Sequence, residues 1–194
     1  MPYPSQVDRE TIIAQAWQII ETDGVESLSL NTLATALGIK APSLYRHIGN
    51  KASLLQAVNL YTTQRLIEAL NAATTQTGGA AAEQIAVFMH AYRNFAQAHS
   101  NSYILAFTNT DDAARPDENV MEQMALPLQA LMSAVSGPED SLAALRGAMA
   151  LVHGFVLLEL HGQLRRGGDL VADFDTAVHA YLHGWQADEN DQNK

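Results

Sequence analysis

The chain has 194 residues, 47% of them hydrophobic, which is enough for one or two small domains with a real core. It has no cysteine, which excludes disulfides, thiol nucleophiles and cysteine-bound metals. No apolar run reaches the length of a membrane span, and the polar N-terminus has no signal-like apolar segment. We therefore expect a cytoplasmic protein with no membrane partner.

Near the N-terminus, apolar residues at helical spacing form a stripe that predicts a first helix over residues 8–23. Asp8 is a suitable N-cap for this helix, and Gly24 can end it. Trp17 lies among the isoleucines of the stripe, so we expect it in the core and not stacked on a base. Alanine and leucine dominate the chain and β-branched residues form no alternating run, so the predicted fold class is all-α.

Two short helices joined by a tight turn follow at residues 30–48. In the first, apolar residues recur at i, i+3, i+4 and i+7 from Leu30, and Gly38 directly follows with the positive φ that closes a helix cheaply. Pro42 suits the first turn of the second helix, residues 41–47. A helical pair with a glycine turn and a polar, cationic second helix is typical of the DNA-binding helix-turn-helix, whose second helix enters the major groove.

The second helix and its surroundings carry side chains suited to DNA. Arg46 could bind a phosphate or a base, most often guanine, and Ser43 could also reach either. Tyr45 could contact phosphate through its hydroxyl while its ring packs against the first helix. The predicted DNA-contacting residues are Thr32, Lys40, Ala41, Ser43, Tyr45, Arg46, His47 and Lys51.

The formal net charge of −10 at pH 7 is opposite to that of a typical DNA-binding domain, but the acids lie elsewhere in the chain. Residues 27–67 contain no Asp or Glu and include the cations Lys40, Arg46, Lys51 and Arg65. Because salt screens charges beyond roughly 10 Å, a local cationic patch can bind phosphate on an acidic body. An ordinary fluctuation of charge along the chain is the alternative.

The run LATALGIKAPSLYRHIGNKASLL resembles the DNA-binding signature of the tetracycline-repressor (TetR) family of bacterial transcription regulators. The family pattern L-A-x-x-L-G-[VI], L-Y-x-H and N-K-x-x-L-L is met by Leu33, Ala34, Leu37, Gly38, Ile39, Leu44, Tyr45, His47, Asn50, Lys51, Leu54 and Leu55. This resemblance covers the first quarter to third of the chain. The predicted organisation is a three-helix head, 1–51, with its motif at 30–49, then a larger helical-bundle body, 52–188, and a tail, 189–194.

Periodicity predicts the helices of the body. The expected elements are a long linking helix at 51–74 after the N-cap Asn50, helices at 80–99, 120–136, 139–166 and 173–186, and a short helix or turn at 101–108. We expect Pro127 to kink its helix, residues 136–138 to form a turn, and Gly167 and Gly168 to stop the helix that starts at 139. Residues 111–118 read as an acidic loop.

The last two long helices carry more apolar surface than one small body can cover. We expect them to pair with their copies across a two-fold axis, as a four-helix interface. A symmetric dimer places two recognition helices about 34–36 Å apart, which matches successive major grooves. The TetR resemblance implies the same homodimer. The stretch HGFVLLELHG also resembles a subgroup of the family with His-Gly followed by Leu-Glu, although MALV stands where its members often have a tryptophan.

Methionine and aromatic side chains in the body could line an adaptable apolar pocket or simply fill the core. The resemblance implies a small, often hydrophobic effector, which would shift the linking helix by binding one state more tightly. The predicted pocket residues are Phe88, Met89, Tyr92, Phe107, Met121, Met124, His153 and Phe155. For His153, as for Glu159 on the same apolar helix, a hydrogen-bonded core pair is the alternative.

His179 and His183 have the i, i+4 spacing of a metal chelate, but no HExxH motif accompanies them, and we predict no metal and no other cofactor. The sequence thus predicts a TetR-type dimeric regulator, most simply a repressor of a palindromic operator that a small hydrophobic effector releases. One alternative, an enzyme, finds no nucleophile–base spacing or phosphate loop. The other is a helical protein-interaction module without sequence-specific DNA binding.

Overall fold

The computed structural model describes residues 7–75, 79–108, 115 and 118–187, and all regular structure in that part of the chain is helical. The helices are α1 (Arg9–Asp23), α2 (Leu30–Ala36), α3 (Ala41–Ile48), α4 (Lys51–Thr75), α5 (Ala81–Ala98), α6 (Ser100–Thr108), α7 (Glu118–Leu160) and α8 (Leu170–Ala187), with a 3-10 turn at Val25–Ser27. The predicted all-α class is confirmed. Most of the predicted acidic loop at 111–118 and the tail at 189–194 lie outside the described residues.

The chain folds into two compact units. The N-terminal unit is formed by Met1–Arg65 and His99–Glu118, and the C-terminal unit by Leu66–Ala98 and Asn119–Lys194. This division differs from the predicted boundary at residue 51, because the apolar face of α4 up to Arg65 packs into the N-terminal core and α6 returns to the same unit. Helix α4 therefore belongs to both units.

Local signals account for the helices of the N-terminal unit. Asp8 Oδ1 accepts a hydrogen bond from the Thr11 N–H at 2.8 Å, and Gly24 ends α1 with φ 81°, as predicted for both residues. The apolar face of α1 then meets those of the next three helices in one core. Its members include Ile12, Ala16, Trp17, Ile20, Leu33, Leu44, Ile48, Leu54 and Val58.

Helix α7 carries the core of the C-terminal unit together with α5 and α8. Its backbone leaves helical angles at Gly137, with φ 77° and ψ 161°, and Pro138 then starts a new helical segment. The predicted turn at 136–138 is therefore confirmed, whereas the angles at Pro127 stay helical. The backbone break lies at Gly137, since only glycine adopts such a positive φ without strain.

Helix α7 ends earlier than predicted, at Leu160 and not at residue 166. Gly162 adopts φ 62° and donates its N–H to the Glu159 carbonyl at 2.9 Å, while the Gln163 N–H bonds the Leu158 carbonyl at 2.8 Å. This pair of bonds is a Schellman end, and it stops the helix before Gly167 is reached. Helix α8 also starts earlier than predicted, because Asp169 Oδ1 accepts the Val171 N–H at 2.9 Å and so caps the helix.

Candidate functional site

A capping box fixes the start of α2, the first helix of the helix-turn-helix. The Ser29 N–H donates to Thr32 Oγ1 at 2.8 Å, and the Thr32 N–H donates back to Ser29 Oγ at 3.0 Å. Each side chain satisfies one backbone donor that the helix leaves unpaired. Thr32 therefore has a structural role, and because it remains exposed it can also face a ligand, as predicted for DNA.

The turn between α2 and α3 depends on Gly38, which adopts φ 67° as its sequence position predicts. Its N–H bonds the Thr35 carbonyl at 3.1 Å, and the Ile39 N–H bonds the Ala34 carbonyl at 3.0 Å. A side chain at position 38 would be strained by the positive φ, although its Cβ would meet no atom within 4 Å. The turn thus sets the direction in which α3 leaves α2.

Helix α3 presents one anchored face and one exposed face. Leu44 and Ile48 are buried in the core of the N-terminal unit, whereas Arg46 and His47 are exposed. Tyr45 is 54% exposed, so about half of its surface is open to solvent. The exposed face carries a phenol, a guanidinium and an imidazole and no carboxylate.

The remaining predicted DNA contacts flank α3. Lys40, at the N-cap of α3, and Lys51, at the start of α4, are exposed, while Ala41 and Ser43 are half-buried. Asn50 Oδ1 accepts the Ser53 N–H at 2.9 Å, so the predicted N-cap of α4 is confirmed. Six of the eight predicted residues are therefore exposed on the same unit: Thr32, Lys40, Tyr45, Arg46, His47 and Lys51.

One carboxylate stands close to this exposed face. The Thr11 N–H bond holds the pKa of Asp8 below its usual value, and His47 on α3 lowers it further. The sequence analysis did not predict this electrostatic interaction between Asp8 and His47, because the two residues are far apart in the chain and no local pattern connects them.

Arg65, counted among the cations of the patch, is engaged elsewhere. Its guanidinium carbon lies 4.8 Å from the centroid of the Trp17 ring and 5.7 Å from that of Tyr61. Its Nη1 also donates to the Tyr61 hydroxyl at 3.4 Å. Trp17 itself is 7% exposed, which confirms its predicted place in the core. The cationic patch therefore consists of fewer free charges than the sequence count indicates.

A cavity of about 420 Å³ lies in the C-terminal unit between α4, α5 and α7, within the size range of small-molecule sites. It is lined by Ile67, Asn71, Thr74, Gln84, Phe88, Gln123, Pro127, Leu128 and Leu131. Of the predicted pocket residues whose side chains the structure describes, it brings only Phe88 to this cavity. The amide and hydroxyl side chains of the lining were missed, because the prediction followed methionine and aromatic residues.

The other predicted pocket residues lie at different places. Met89 and Tyr92 are buried in the core of the C-terminal unit, and the Phe155 ring lies 5.0 Å from that of Phe174. His153 is half-buried, and burial lowers its pKa. Met121 is half-buried, while the Met124 side chain lies outside what the structure describes.

Phe107 belongs to α6 in the N-terminal unit, with its ring centroid 4.9 Å from that of Tyr103. Glu159, for which a core pair was the alternative, pairs with Arg93. Among the described residues, no group of three or more His, Asp or Glu side chains is placed to hold a metal. His183 is exposed, and His179 lies 3.6 Å from Asp175 Oδ1.

Large apolar residues remain exposed on the last two helices. Leu142, Met149 and Leu158 of α7 and Val171 of α8 are large apolar residues in contact with solvent in the protomer. Of the described helices, α7 alone has the length and composition of a membrane span, and core helices of soluble proteins meet the same criteria. Only 33% of the most apolar 18-residue stretch of α7 is buried within the protomer.

Both parts of the chain match known protein families. Residues 12–58 match the family described as bacterial regulatory proteins, tetR family, and residues 85–181 match the tetracyclin repressor-like C-terminal domain. The first match runs from α1 to the start of α4 and includes the helix-turn-helix, and the second, which covers half of the chain, runs from α5 to α8.

Individual relatives agree with these matches. A helix-turn-helix transcriptional regulator of Mycobacterium tuberculosis is 35% identical over 163 residues, which cover 82% of this chain and 73% of the relative. The crystal structure of BioQ with its double-stranded DNA operator has a TM-score of 0.68 at 25% identity, covering 94% of this chain and 99% of BioQ. That of an Acinetobacter baumannii TetR variant with minocycline has a TM-score of 0.69 at 21% identity, covering 94% and 98%. The chain therefore belongs to the TetR family, and it is a DNA-binding transcriptional regulator and not an enzyme.

Proposed function

We propose that the protein is a dimeric repressor that binds a palindromic operator in the bacterial cytoplasm and is released by a small hydrophobic effector. The observation that carries the DNA-binding part is the exposed face of α3. Tyr45, Arg46 and His47 face solvent while Leu44 and Ile48 hold the helix in the core. Such an anchored helix can enter a major groove without losing its own packing.

Each exposed side chain has a role that follows from its chemistry. Arg46 provides the planar donor pair that binds guanine, and thus contributes to sequence recognition. Lys40 and Lys51 provide point charges for phosphates on either side of α3, and the Tyr45 hydroxyl and the His47 ring bind phosphate oxygens. The similarity to BioQ, whose structure contains operator DNA, supports this arrangement.

Exposed apolar residues of α7 and α8 support the dimer. Leu142 and Met149, which lie seven residues apart on one face of α7, would be costly in water, and a second copy of the same two helices would bury them across a two-fold axis. Two heads held in this way bind two half-sites of a palindrome. Because each head provides few free cations, the second head supplies affinity that one head lacks.

The cavity between α4, α5 and α7 supports the effector. Its lining combines apolar side chains with the amides of Asn71, Gln84 and Gln123, and none of the described lining residues is charged. We infer a small, largely uncharged apolar ligand with hydrogen-bonding groups. Because α4 lines the cavity through Asn71 and also packs in the N-terminal core through Leu54, a ligand that prefers one position of α4 alters DNA binding.

Selection from a pool of random DNA duplexes with the purified protein at moderate salt tests the function. We expect a two-fold symmetric sequence that Arg46→Ala binds less tightly. Arg166→Ala is the matched control, since it removes another exposed arginine, which lies in the C-terminal unit. A folded, dimeric protein that enriches no sequence would favour the alternative of a helical protein-interaction module.

Binding of small molecules to the wild-type protein and to Gln123→Leu tests the effector site. A hydrophobic compound that raises the melting temperature and releases operator DNA from the wild type, but has less effect on Gln123→Leu, supports this cavity. A compound that releases DNA equally from both proteins would place the effector elsewhere.

A further inference from the structure

One aromatic ring contacts both residues at which the chain first leaves and then re-enters the N-terminal unit. The chain leaves after Arg65, within α4, and returns at His99, just before α6. The Arg65 guanidinium carbon lies 4.8 Å from the centroid of the Trp17 ring, and the His99 ring centroid lies 5.1 Å from it. Trp17 belongs to α1, so the cluster joins α1, α4 and the residue that precedes α6.

This cluster is held by ring contacts more than by hydrogen bonds. The Tyr61 ring meets Trp17 edge-on at 5.9 Å, and its hydroxyl accepts a bond of 3.4 Å from Arg65. No acceptor among the described residues bonds the buried Trp17 Nε1 or Arg65 Nε. Ring contacts depend less on direction than hydrogen bonds do, so the cluster can shift without breaking a bond at these two atoms.

Helix α1 connects the cluster to the helix-turn-helix. Ile13 and Ile20, on the same face of α1 as Trp17, pack in the core that also holds Leu33 of α2 and Leu44 of α3. Protein cores are close-packed, so a displacement of Trp17 is passed to its neighbours along α1. The exposed face of α3 rests on that core.

We infer that Trp17 is a positioning residue for DNA binding, which transmits changes at Arg65 and His99 through α1 to the helix-turn-helix. This inference rests on the DNA-binding function proposed above. It also assigns a specific input, because His99 can gain a proton within the cluster.

The charged groups around His99 decide the direction of that input. Burial lowers the pKa of His99 and Arg65 on α4 lowers it further, whereas Glu21 on α1 opposes the shift. Glu21 is held at the start of α6, where it accepts bonds from the Ser102 hydroxyl at 2.5 Å and the Ser102 N–H at 3.2 Å. Protonation of His99 adds a second cation beside Arg65 at the Trp17 ring, and because like charges repel, it should displace Trp17 from the packing that supports α3. We therefore expect DNA affinity to fall as the pH decreases through the pKa of His99.

The fluorescence of Trp17 tests the contact without DNA. The chain has two tryptophans, so Trp185→Phe leaves Trp17 as the reporter. Because protonated imidazole quenches indole emission, we expect a titration with its midpoint below the ordinary histidine value of about 6.5. It should disappear in His99→Gln and persist in the control His161→Gln, whose side chain is exposed. Persistence in His99→Gln would overturn the inference.

The affinity for a selected operator duplex, measured at about pH 7.5 and about pH 5.5, tests the transmission. We expect acid to weaken the wild type by roughly 2- to 30-fold more than His99→Gln, the range found for residues that couple two sites. In a Trp17→Leu background, His99→Gln should no longer change the ratio of the two affinities. Trp17→Phe, which keeps a ring, should retain part of the difference.

The outcomes distinguish this inference from the proposed function. If the wild type binds no selected duplex at either pH, the proposed function fails and the inference falls with it. If it binds and Arg46→Ala weakens binding, but His99→Gln has the wild-type pH ratio, only the inference fails. The inference would also be overturned if His99→Gln changed the ratio of the two affinities equally in the wild-type protein and in the Trp17→Leu background. Circular dichroism at both pH values establishes that each variant is folded.

Discussion

Arg93 on α5 and Glu159 on α7 form an ion pair with two hydrogen bonds. Arg93 Nε lies 2.8 Å from Glu159 Oε2, and Nη2 lies 2.5 Å from Oε1. The two side chains are only 5% and 15% exposed, and the guanidinium carbon also lies 5.4 Å from the centroid of the Phe174 ring of α8. Because a two-bond pair fixes the orientation of both side chains, it ties α5 to α7 beside α8.

Removing one member of this pair should destabilise the C-terminal unit strongly. Arg93→Met leaves the Glu159 carboxylate buried without its partner, and we expect the free energy of unfolding to fall by about 3–5 kcal/mol. The double variant Arg93→Met with Glu159→Leu should recover most of the loss, because two apolar side chains of similar volume need no charge partner. Urea unfolding of the three proteins at pH 7 measures this. A double variant as unstable as the single one would contradict it.

This pair also shows what the sequence could not provide. Glu159 stands out in the chain because it interrupts a nearly apolar helix, and a core pair was one of its two interpretations. Its partner Arg93 is 66 positions away, and an arginine on an amphipathic helix resembles any solvent-facing cation. No local pattern identifies which of several cations is buried, so only the packing of α5 against α7 reveals it.

Features that depend on neighbouring residues were predicted well. The positive φ of Gly38 and the caps at Asp8 and Asn50 each depend on a few consecutive residues. The end of α7 was predicted wrongly because two glycine sites compete for the same role. Gly162 takes the left-handed position first, so the helix ends before Gly167 can act.

Gly147 on α7 leaves room for the Tyr181 ring of α8. A Cβ at this position would lie 3.1 Å from Cε2 and Cζ of Tyr181, whose hydroxyl donates to the Ala144 carbonyl at 2.5 Å. We expect Gly147→Ala to lower the free energy of unfolding by about 1–3 kcal/mol through overpacking. Gly154→Ala is the matched control. No atom of the protomer lies within 4 Å of the Cβ that this change adds, so the higher helix propensity of alanine should raise the free energy of unfolding by about 0.5–1 kcal/mol. Equal losses at both glycines would contradict this.

Lys51 and Arg46 should affect DNA binding in different ways. Lys51→Ala removes a phosphate contact, so it should weaken binding equally for all sequences and reduce the slope of log affinity against log salt by about 1 per head. Arg46→Ala should instead relax specificity at one base pair, by about 1–3 kcal/mol. Fluorescence anisotropy between about 50 and 200 mM salt gives both quantities. Arg166→Ala should leave the slope unchanged, and a slope altered equally by Lys51→Ala and Arg166→Ala would contradict the assignment.

Met149 lies on the exposed face of α7 that we propose as the dimer interface. Met149→Arg should yield monomers in light scattering and weaken operator binding by about 10²–10⁴-fold, because one head then binds without the other. Leu126→Arg is the control, since Leu126 is similarly exposed but lies on the part of α7 before the break at Gly137. Met149→Arg protein that remains dimeric would exclude this face.

His153 should make the stability of the protein depend on pH. Burial lowers its pKa in the folded protein, whereas in the unfolded chain it binds a proton near its ordinary value of 6.5. Because the unfolded state then binds more protons, the stabilising contribution is present above about pH 6.5 and is lost as the pH falls through the folded pKa. In urea unfolding, His153→Gln should therefore lose less stability than the wild type between about pH 7.5 and about pH 5.5. The exposed residue His161 provides the control, and a His153→Gln profile parallel to that of His161→Gln would contradict the assignment.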